Sequence, residues 1–368
     1  MKIAIFHNYM DNIGGAEYVD LVLARELNAD IYTTNIDKEK IEKMGFNTNN
    51  IYSIGKIPIN PPFKQEFAYW KFRFLGIEKQ FKKHYDFYII AGDWAMSGAI
   101  HNKPNLWYVY SPTREIWDLY EYTRNNIVDF WKRPFFDIWV FFRRIINKHD
   151  VKYINKIISI SENVQKRIKK YLERDSIIIY PPTETSKYHY KKSRGYWLSV
   201  NRLLANKKID LQLKAFSKLS NEKLIIIGSY EKAKHFLKYA EYCRKIKPEN
   251  VEIKSWINQK ELTELYANCK GVITTSKDED FGMTPVEAMA SGKPVIAPNE
   301  GGYKETIINH KTGILIDNMN EYKLIETIKQ LGKEIEKNPM KFKKDCQKQA
   351  KKFDTRVFIE KIKGMIKK

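Results

Sequence analysis

The feature that most constrains this chain is a recurring unit: a short unbroken apolar run, a turn, then a stretch with helical spacing. The first copy is residues 2–6, the turn residues 12–15, and a helical pattern over 16–27 with apolar positions at 19, 22, 23 and 27. Apolar runs that do not alternate with polar residues predict strands covered on both faces, which is the habit of parallel sheets. Further runs of this kind stand at 87–91, 106–110, 156–160 and 177–180. Pro181-Pro182 and the polar stretch 183–194 then interrupt the pattern as a linker would. A second series follows at 197–200, 224–227, 251–253, 271–275 and 294–297. No segment recurs at a fixed period, which excludes a solenoid. The reading is an α/β chain of two doubly wound domains joined near residue 183, with ligands expected outside the carboxyl ends of the strands, in a cleft between the two.

At 368 residues with 43% hydrophobic residues, the chain can supply two cores. Its 65 Lys and Arg outnumber 44 Asp and Glu, giving a formal charge of +21 that favours polyanionic partners: nucleic acid, nucleotide diphosphates or an anionic membrane face. Residues 2–6 are too short for the apolar core of a secretory signal, and no run approaches the ~20 apolar residues of a membrane span. Cys243, Cys269 and Cys346 are an odd set without metal-ligand spacing, and none of the seven histidines forms an H-x-x-x-H pair. The expectation is a cytoplasmic protein with no metal centre.

Chemistry concentrates in the second half. In Glu279-Asp-Phe-Gly-Met-Thr-Pro-Val-Glu287, Thr284-Pro285 reads as a helix N-cap with proline in the first helical position. The helix is expected over 285–291 and to stop at Gly292. The backbone of Phe281, Gly282 and Met283 then leads into a helix N-terminus, where amide groups and the helix dipole favour an anion. Glu279 ahead of the loop and Glu287 in the first turn would flank that site. Upstream, Arg202 and Lys207 lie in a loop at the carboxyl end of the 197–200 strand. A guanidinium fork and a flexible ammonium suit a diphosphate.

Arg202 and Lys207, the E-x7-E of Glu279 and Glu287, and Gly14-Gly15-Ala16-Glu17 together resemble the family 4 glycosyltransferases. Within that family the sequence is most similar to the mannosyltransferase branch. The segments Tyr110-Ser-Pro-Thr-Arg114 with Trp117-Asp118, Ser159-Ile-Ser161, Tyr180-Pro-Pro182 and Lys207-Lys-Ile-Asp210 occur in the matching order. The resemblance implies the GT-B fold, two Rossmann-like domains: an acceptor-side domain at 1–183, a nucleotide-sugar domain at 184–350, and a terminal helix at 351–368 crossing back to the first. It also implies a retaining reaction without a metal or other cofactor. Arg202 and Lys207 would bind the donor diphosphate, and Glu279 would hold the transferred sugar and support charge at its anomeric carbon. Glu287 would hold the ribose, and Phe281, Gly282 and Met283 would meet phosphate or sugar oxygens. Gly14 and Gly15 would approach the diphosphate, and the base would sit near Trp256. This chain departs from the family pattern in three places. Tyr110 stands where the branch usually has a sugar-side histidine, the glycine turn after the 224–227 strand is reduced to Gly228-Ser229-Tyr230, and Lys208 replaces a frequent glycine.

Such a site would stabilise the negative charge growing on the departing diphosphate. No well-placed nucleophile is evident, so a front-face displacement is expected, with the leaving phosphate taking the acceptor proton. Asp278-x-Asp280 spells a metal-binding D-x-D but overlaps the E-x7-E loop. Two basic stretches, 63–81 and 130–146, carry Phe63, Phe67, Trp70 and Phe74, then Trp131, Phe135, Trp139 and Phe142, at helical spacing. They read either as a membrane-interface surface suited to a polyprenyl-linked acceptor on the inner membrane face or as core packing. The last residues, 353–368, form a basic amphipathic pattern that fits either the crossing helix or a frayed tail. The rival classes are a UDP-sugar transferase or epimerase of the same fold, and a basic nucleic-acid-binding protein. The last lacks any helix-turn-helix, RNA-binding or zinc motif, so no nucleic-acid partner is expected.

Overall fold

The computed structural model describes residues 1–11, 14–57, 63–228, 234–255 and 257–367. It divides into two compact units, Met1–Tyr180 with Phe358–Lys368, and Pro181–Val357.

The first unit carries a seven-stranded parallel sheet. Its strands are β1 (Ile3–Phe6), β2 (Asp30–Thr33), β3 (Ile51–Ser53), β4 (Phe87–Ile90), β5 (Asn105–Val109), β6 (Lys156–Ser159) and β7 (Ile177–Ile178), in the order β3-β2-β1-β4-β5-β6-β7. Ile5 pairs with Ile31 on one side and Ile89 on the other. Every residue of β1, β4 and β5 is buried, so their runs, apart from Asn105 at the start of β5, are apolar instead of alternating. Phe6, Phe72 and Tyr88 cluster on this sheet, and Tyr108 meets Phe358 from the chain's last helix. Helix Gly15–Leu27 follows β1, its first turn closed by the Glu17 carboxylate accepting the Gly14 N–H at 2.7 Å.

The second unit holds six parallel strands: β8 (Tyr196–Val200), β9 (Lys223–Ile227), β10 (Val251–Lys254), β11 (Val272–Ile273), β12 (Val295–Pro298) and β13 (Gly313–Ile316), ordered β10-β9-β8-β11-β12-β13. Leu198 pairs with Ile225 and Val272. Trp197, Phe216 and Tyr266 fill its core.

In each sheet the strand order reverses once, between β1 and β4 and between β8 and β11. At such a reversal the loops leaving neighbouring strands diverge and open a crevice at the carboxyl edge. Of the segments with sequence motifs, 201–208 leaves β8 and 274–283 leaves β11, so the switch point of the second sheet brings them together.

Candidate functional site

Lys207 closes a 3-10 turn, Ala205–Lys207, and its ammonium meets a Glu279 carboxylate oxygen at 2.6 Å in a half-buried setting. The two loops are fastened below that pair. The Thr275 hydroxyl lies 2.7 Å from the Lys207 carbonyl and 3.0 Å from that of Lys208, and it accepts from Gln212 Nε2 at 2.9 Å. The Lys277 N–H donates to the Asn206 carbonyl at 3.2 Å. Lys208, where the family pattern often has glycine, adopts the left-handed conformation with φ 47° that glycine takes most easily. Arg202 lies two residues beyond the end of β8 and is exposed.

On its other side Glu279 is backed by Gly301-Gly302. The Gly302 N–H donates to the Glu279 carbonyl at 2.8 Å, and a Cβ on Gly302 would stand 2.4 Å from Phe281 Cα. Tyr303, the next residue, is fully buried. Its hydroxyl pairs with Thr274 Oγ1 at 2.6 Å and also hydrogen-bonds Glu279, and burial pushes this phenol well above its ordinary pKa. Glu279 is thus held by a cation on one side and a phenol on the other.

Helix Met283–Ala290 begins one residue after Gly282, which takes φ +88° as the N-cap. This corrects the expected start. Thr284 is inside the first turn, and Pro285 is the third helical residue, where its missing N–H is still among those with no partner in the helix. Glu287 is accordingly the fifth helical residue instead of lying in the first turn. The glycine stop is as expected, with the Gly292 N–H on the Met289 carbonyl at 2.8 Å. Phe281 is buried with its ring against Phe353 at 5.5 Å, while Gly282 and Met283 present backbone at the helix start. A Cβ on Gly282 would come within 2.8 Å of the Tyr303 ring. Burial raises the pKa of Glu287, while the hydroxyls of Tyr266, at 2.6 Å, and Tyr188 hold it back. Trp256, Ser229 and Tyr230 lie outside the described residues.

Gly14, Gly15 and Tyr110 belong to the first unit, where they adjoin. The Tyr110 hydroxyl donates to the Ala16 carbonyl at 3.0 Å and to Asp20 at 2.6 Å. Asp20 also meets His7 Nδ1 at 2.5 Å, and Glu17 meets His7 Nε2 at 3.2 Å. Burial alone would lower the pKa of His7, but the charges and hydrogen bonds of Asp20 and Glu17 outweigh it and hold the imidazole at about 10.

Sequence reasoning missed the tyrosines. Tyr303 directly follows the Gly301-Gly302 pair, whereas nothing in the local sequence ties Tyr266 or Tyr188 to Glu287. It also passed over His7, noted only as one of seven histidines without metal-ligand spacing.

Two Rossmann-like units with a paired-glutamate loop at the switch point of the second define a GT-B glycosyltransferase scaffold. Residues 182–353 match the family of glycosyl transferases group 1, and this segment, nearly all of the second unit, belongs to it. Among relatives, the alpha-1,3/1,6-mannosyltransferase ALG2 of Dictyostelium discoideum is 29% identical over 195 residues, covering 42% of this chain and 46% of that protein. An uncharacterized glycosyltransferase of Methanocaldococcus jannaschii is 27% identical over 190 residues, covering 51% and 52%. The chain thus spans about half the length of these relatives. Among solved structures, Anabaena HepE in complex with UDP-glucose superposes with a TM-score of 0.77 at 18% identity, over 100% of this chain and 99% of that one. The sucrose-phosphate synthase of Thermosynechococcus elongatus gives 0.77 at 14% identity, over 100% and 98%. At these identities the likeness concerns the fold, and it extends over both units.

Proposed function

We propose that the chain is a retaining, metal-independent glycosyltransferase that moves a sugar from a nucleotide-diphosphate donor, GDP-mannose first, to a glycan or polyprenyl-linked acceptor at the cytoplasmic membrane face. The observation that carries the reading is the Lys207–Glu279 pair at the switch point of the second sheet, beside the N-terminus of helix Met283–Ala290. One ammonium proton is committed to Glu279, leaving two N–H groups for a diphosphate oxygen. Arg202 and the amides of Gly282 and Met283 add to the neutralisation of the leaving group.

In the reaction the anomeric C–O bond to the diphosphate breaks as the acceptor oxygen approaches the same face. The departing phosphate oxygen takes the acceptor proton, and Glu279 steadies the positive charge on the sugar ring. Glu287 accepts the ribose hydroxyls. The mannosyl choice rests on the mannosyltransferases among the relatives. A UDP-sugar is the second reading, favoured by the nucleotide named in the HepE complex.

The test is calorimetric titration, in EDTA, with GDP-mannose, UDP-glucose, UDP-N-acetylglucosamine and the matching nucleoside diphosphates. One base should bind saturably, and Lys207→Ala should weaken it roughly 10- to 100-fold, the worth of a hydrogen bond to a charged group. Unchanged affinity in the variant would remove Lys207 from the donor site. Failure of all ligands to bind overturns the reading.

A further inference from the structure

The two aromatic stretches of the first unit present most of their rings to solvent, while Tyr69 and Phe72 pack its core and Trp139 turns inward to Glu66. Helix Arg133–Asp150 has 18 residues, about 27 Å at 1.5 Å per residue. It is amphipathic in the reverse of the usual sense. Its polar residues face the protein. The Arg143 guanidinium forks onto Glu66, which also accepts Trp139 Nε1 at 2.7 Å. Buried Asp150 accepts from the Tyr69 hydroxyl at 2.6 Å and Arg73 at 2.7 Å. Asp137 holds Tyr120 and Arg124, and Arg144 donates to the Ile116 carbonyl at 2.7 Å.

Apart from buried Val140 and half-buried Phe136, Trp139 and Ile146, its apolar residues face solvent. Phe135, Ile138, Phe142 and Ile145, with Trp131 in the preceding turn, recur at steps of four and three, and they are between 53% and 72% exposed. Phe130 beside them is 80% exposed. Helix Phe63–Arg73 supplies the grip through Glu66, Tyr69 and Arg73, and its neighbouring row, Phe63, Phe67 and Trp70 with Phe74 beyond, is exposed as well. A row of exposed phenylalanines this long is not ordinary soluble surface.

We infer that this plate of two helices is a docking surface for an anionic lipid bilayer, into whose interface helix Arg133–Asp150 lies lengthwise, already folded. No helix among the described residues is long and apolar enough to cross a membrane, so the helix would lie on the bilayer. Charge selects the occupant. Residues 63–83 carry six Lys and Arg against two acids, and residues 120–150 six against four. Lys132 sits 4.5 Å over the Trp131 ring and Arg133 5.5 Å over Phe130, placing cations at the edge of the apolar rows, where lipid phosphates would lie. A second copy of a chain with net charge +21 would instead set like charge against like. The inference stands on the first unit alone and needs nothing from the donor site.

The experiment is flotation of the full chain, without nucleotide, on vesicles of phosphatidylcholine and of phosphatidylcholine mixed with phosphatidylglycerol. Binding should require the anionic lipid, fall with added salt, and shift tryptophan emission to the blue, while far-UV circular dichroism stays unchanged because the helix is preformed. The triple variant Phe135→Ser/Ile138→Ser/Phe142→Ser should bind at least roughly tenfold more weakly. These side chains are exposed, so its melting temperature and calorimetric nucleotide affinity should match wild type. The inference is overturned if wild type does not float at low salt, or if the triple variant floats equally well. It is also overturned if sedimentation velocity shows a dimer that the triple variant dissociates, which would assign the plate to a second copy.

Discussion

Replacing Gly302 with alanine tests whether the paired-glycine backing sets the position of Glu279. Gly302 has φ −66° and ψ −12°, a conformation open to alanine, so backbone strain contributes nothing. The added methyl would stand 2.4 Å from Phe281 Cα, 2.7 Å from its carbonyl oxygen and 2.8 Å from that of Asp280. All three are backbone atoms, so no side chain can swing aside. Comfortable carbon–carbon contact begins near about 3.5 Å, so the 279–281 loop must retreat by about 1 Å. Overpacking of this kind costs about 1–3 kcal/mol, which for a unit of this size lowers the melting temperature by about 2–12 °C. The same shift draws Glu279 away from the Lys207 ammonium, now 2.6 Å off, and a displacement of about 1 Å at a reacting centre costs on the order of 100-fold in rate. The assays are thermal unfolding and release of nucleoside diphosphate from the sugar nucleotide, with nucleotide affinity read by calorimetry. Affinity should change far less than turnover. A variant that melts with wild type and turns over within about twofold of it would refute the argument that these glycines position Glu279.

Glu279→Gln keeps the shape but removes the charge proposed to face the anomeric centre. Turnover should fall at least about 100-fold with nucleotide binding retained, and wild-type turnover would overturn the assignment. Tyr266→Phe removes a hydroxyl that restrains the burial-raised pKa of Glu287, so that pKa should climb further. Because the ribose-holding role proposed for Glu287 needs its ionised form, nucleotide affinity measured across acidic to neutral pH should fail at a higher pH than in wild type; an unmoved profile would exclude that role. His7→Gln leaves the buried carboxylates of Asp20 and Glu17 without their cation, and the first unit should lose about 3–5 kcal/mol in denaturant unfolding. His7 is raised from 6.5 to about 10, so its contribution is full below pH 6.5 and lost as pH rises through about 10. Wild type should therefore lose stability across that window, and His7→Gln much less.

Legibility followed the apolar runs, which were read to within a residue or two: 87–91 became Phe87–Ile90, and 224–227 became Lys223–Ile227. Strands β2, β3 and β13 were missed. They are only three or four residues long; β2 opens on Asp30 and β3 is Ile51-Tyr-Ser53 at a sheet edge, whereas the Gly313-Ile-Leu-Ile316 run of β13 is apolar and was passed over. The Lys207–Glu279 pair was legible because both residues sit in motifs. Their phenolic partners were not, because tyrosine is as common in a core as beside a carboxylate. The aromatic helices read equally well inward or outward from spacing alone. Polar partners such as Glu66 and Asp150, which claim the inward side of helix Arg133–Asp150, settle the orientation, and they belong to other stretches of chain or to its end.

The fastening of the 201–208 and 274–283 loops through Thr275 and Lys277 bears on how the site behaves in time. The strap is made of main-chain carbonyls, a buried hydroxyl and the Gln212 amide, so neither loop can lift without breaking the other's bonds. The site therefore works as a fixed jaw instead of a flap. The Lys277 and Gly302 amides, on opposite sides of Glu279, should exchange their hydrogens slowly and together, through unfolding of the whole second unit, and substrate entry has to be governed elsewhere than in these two loops.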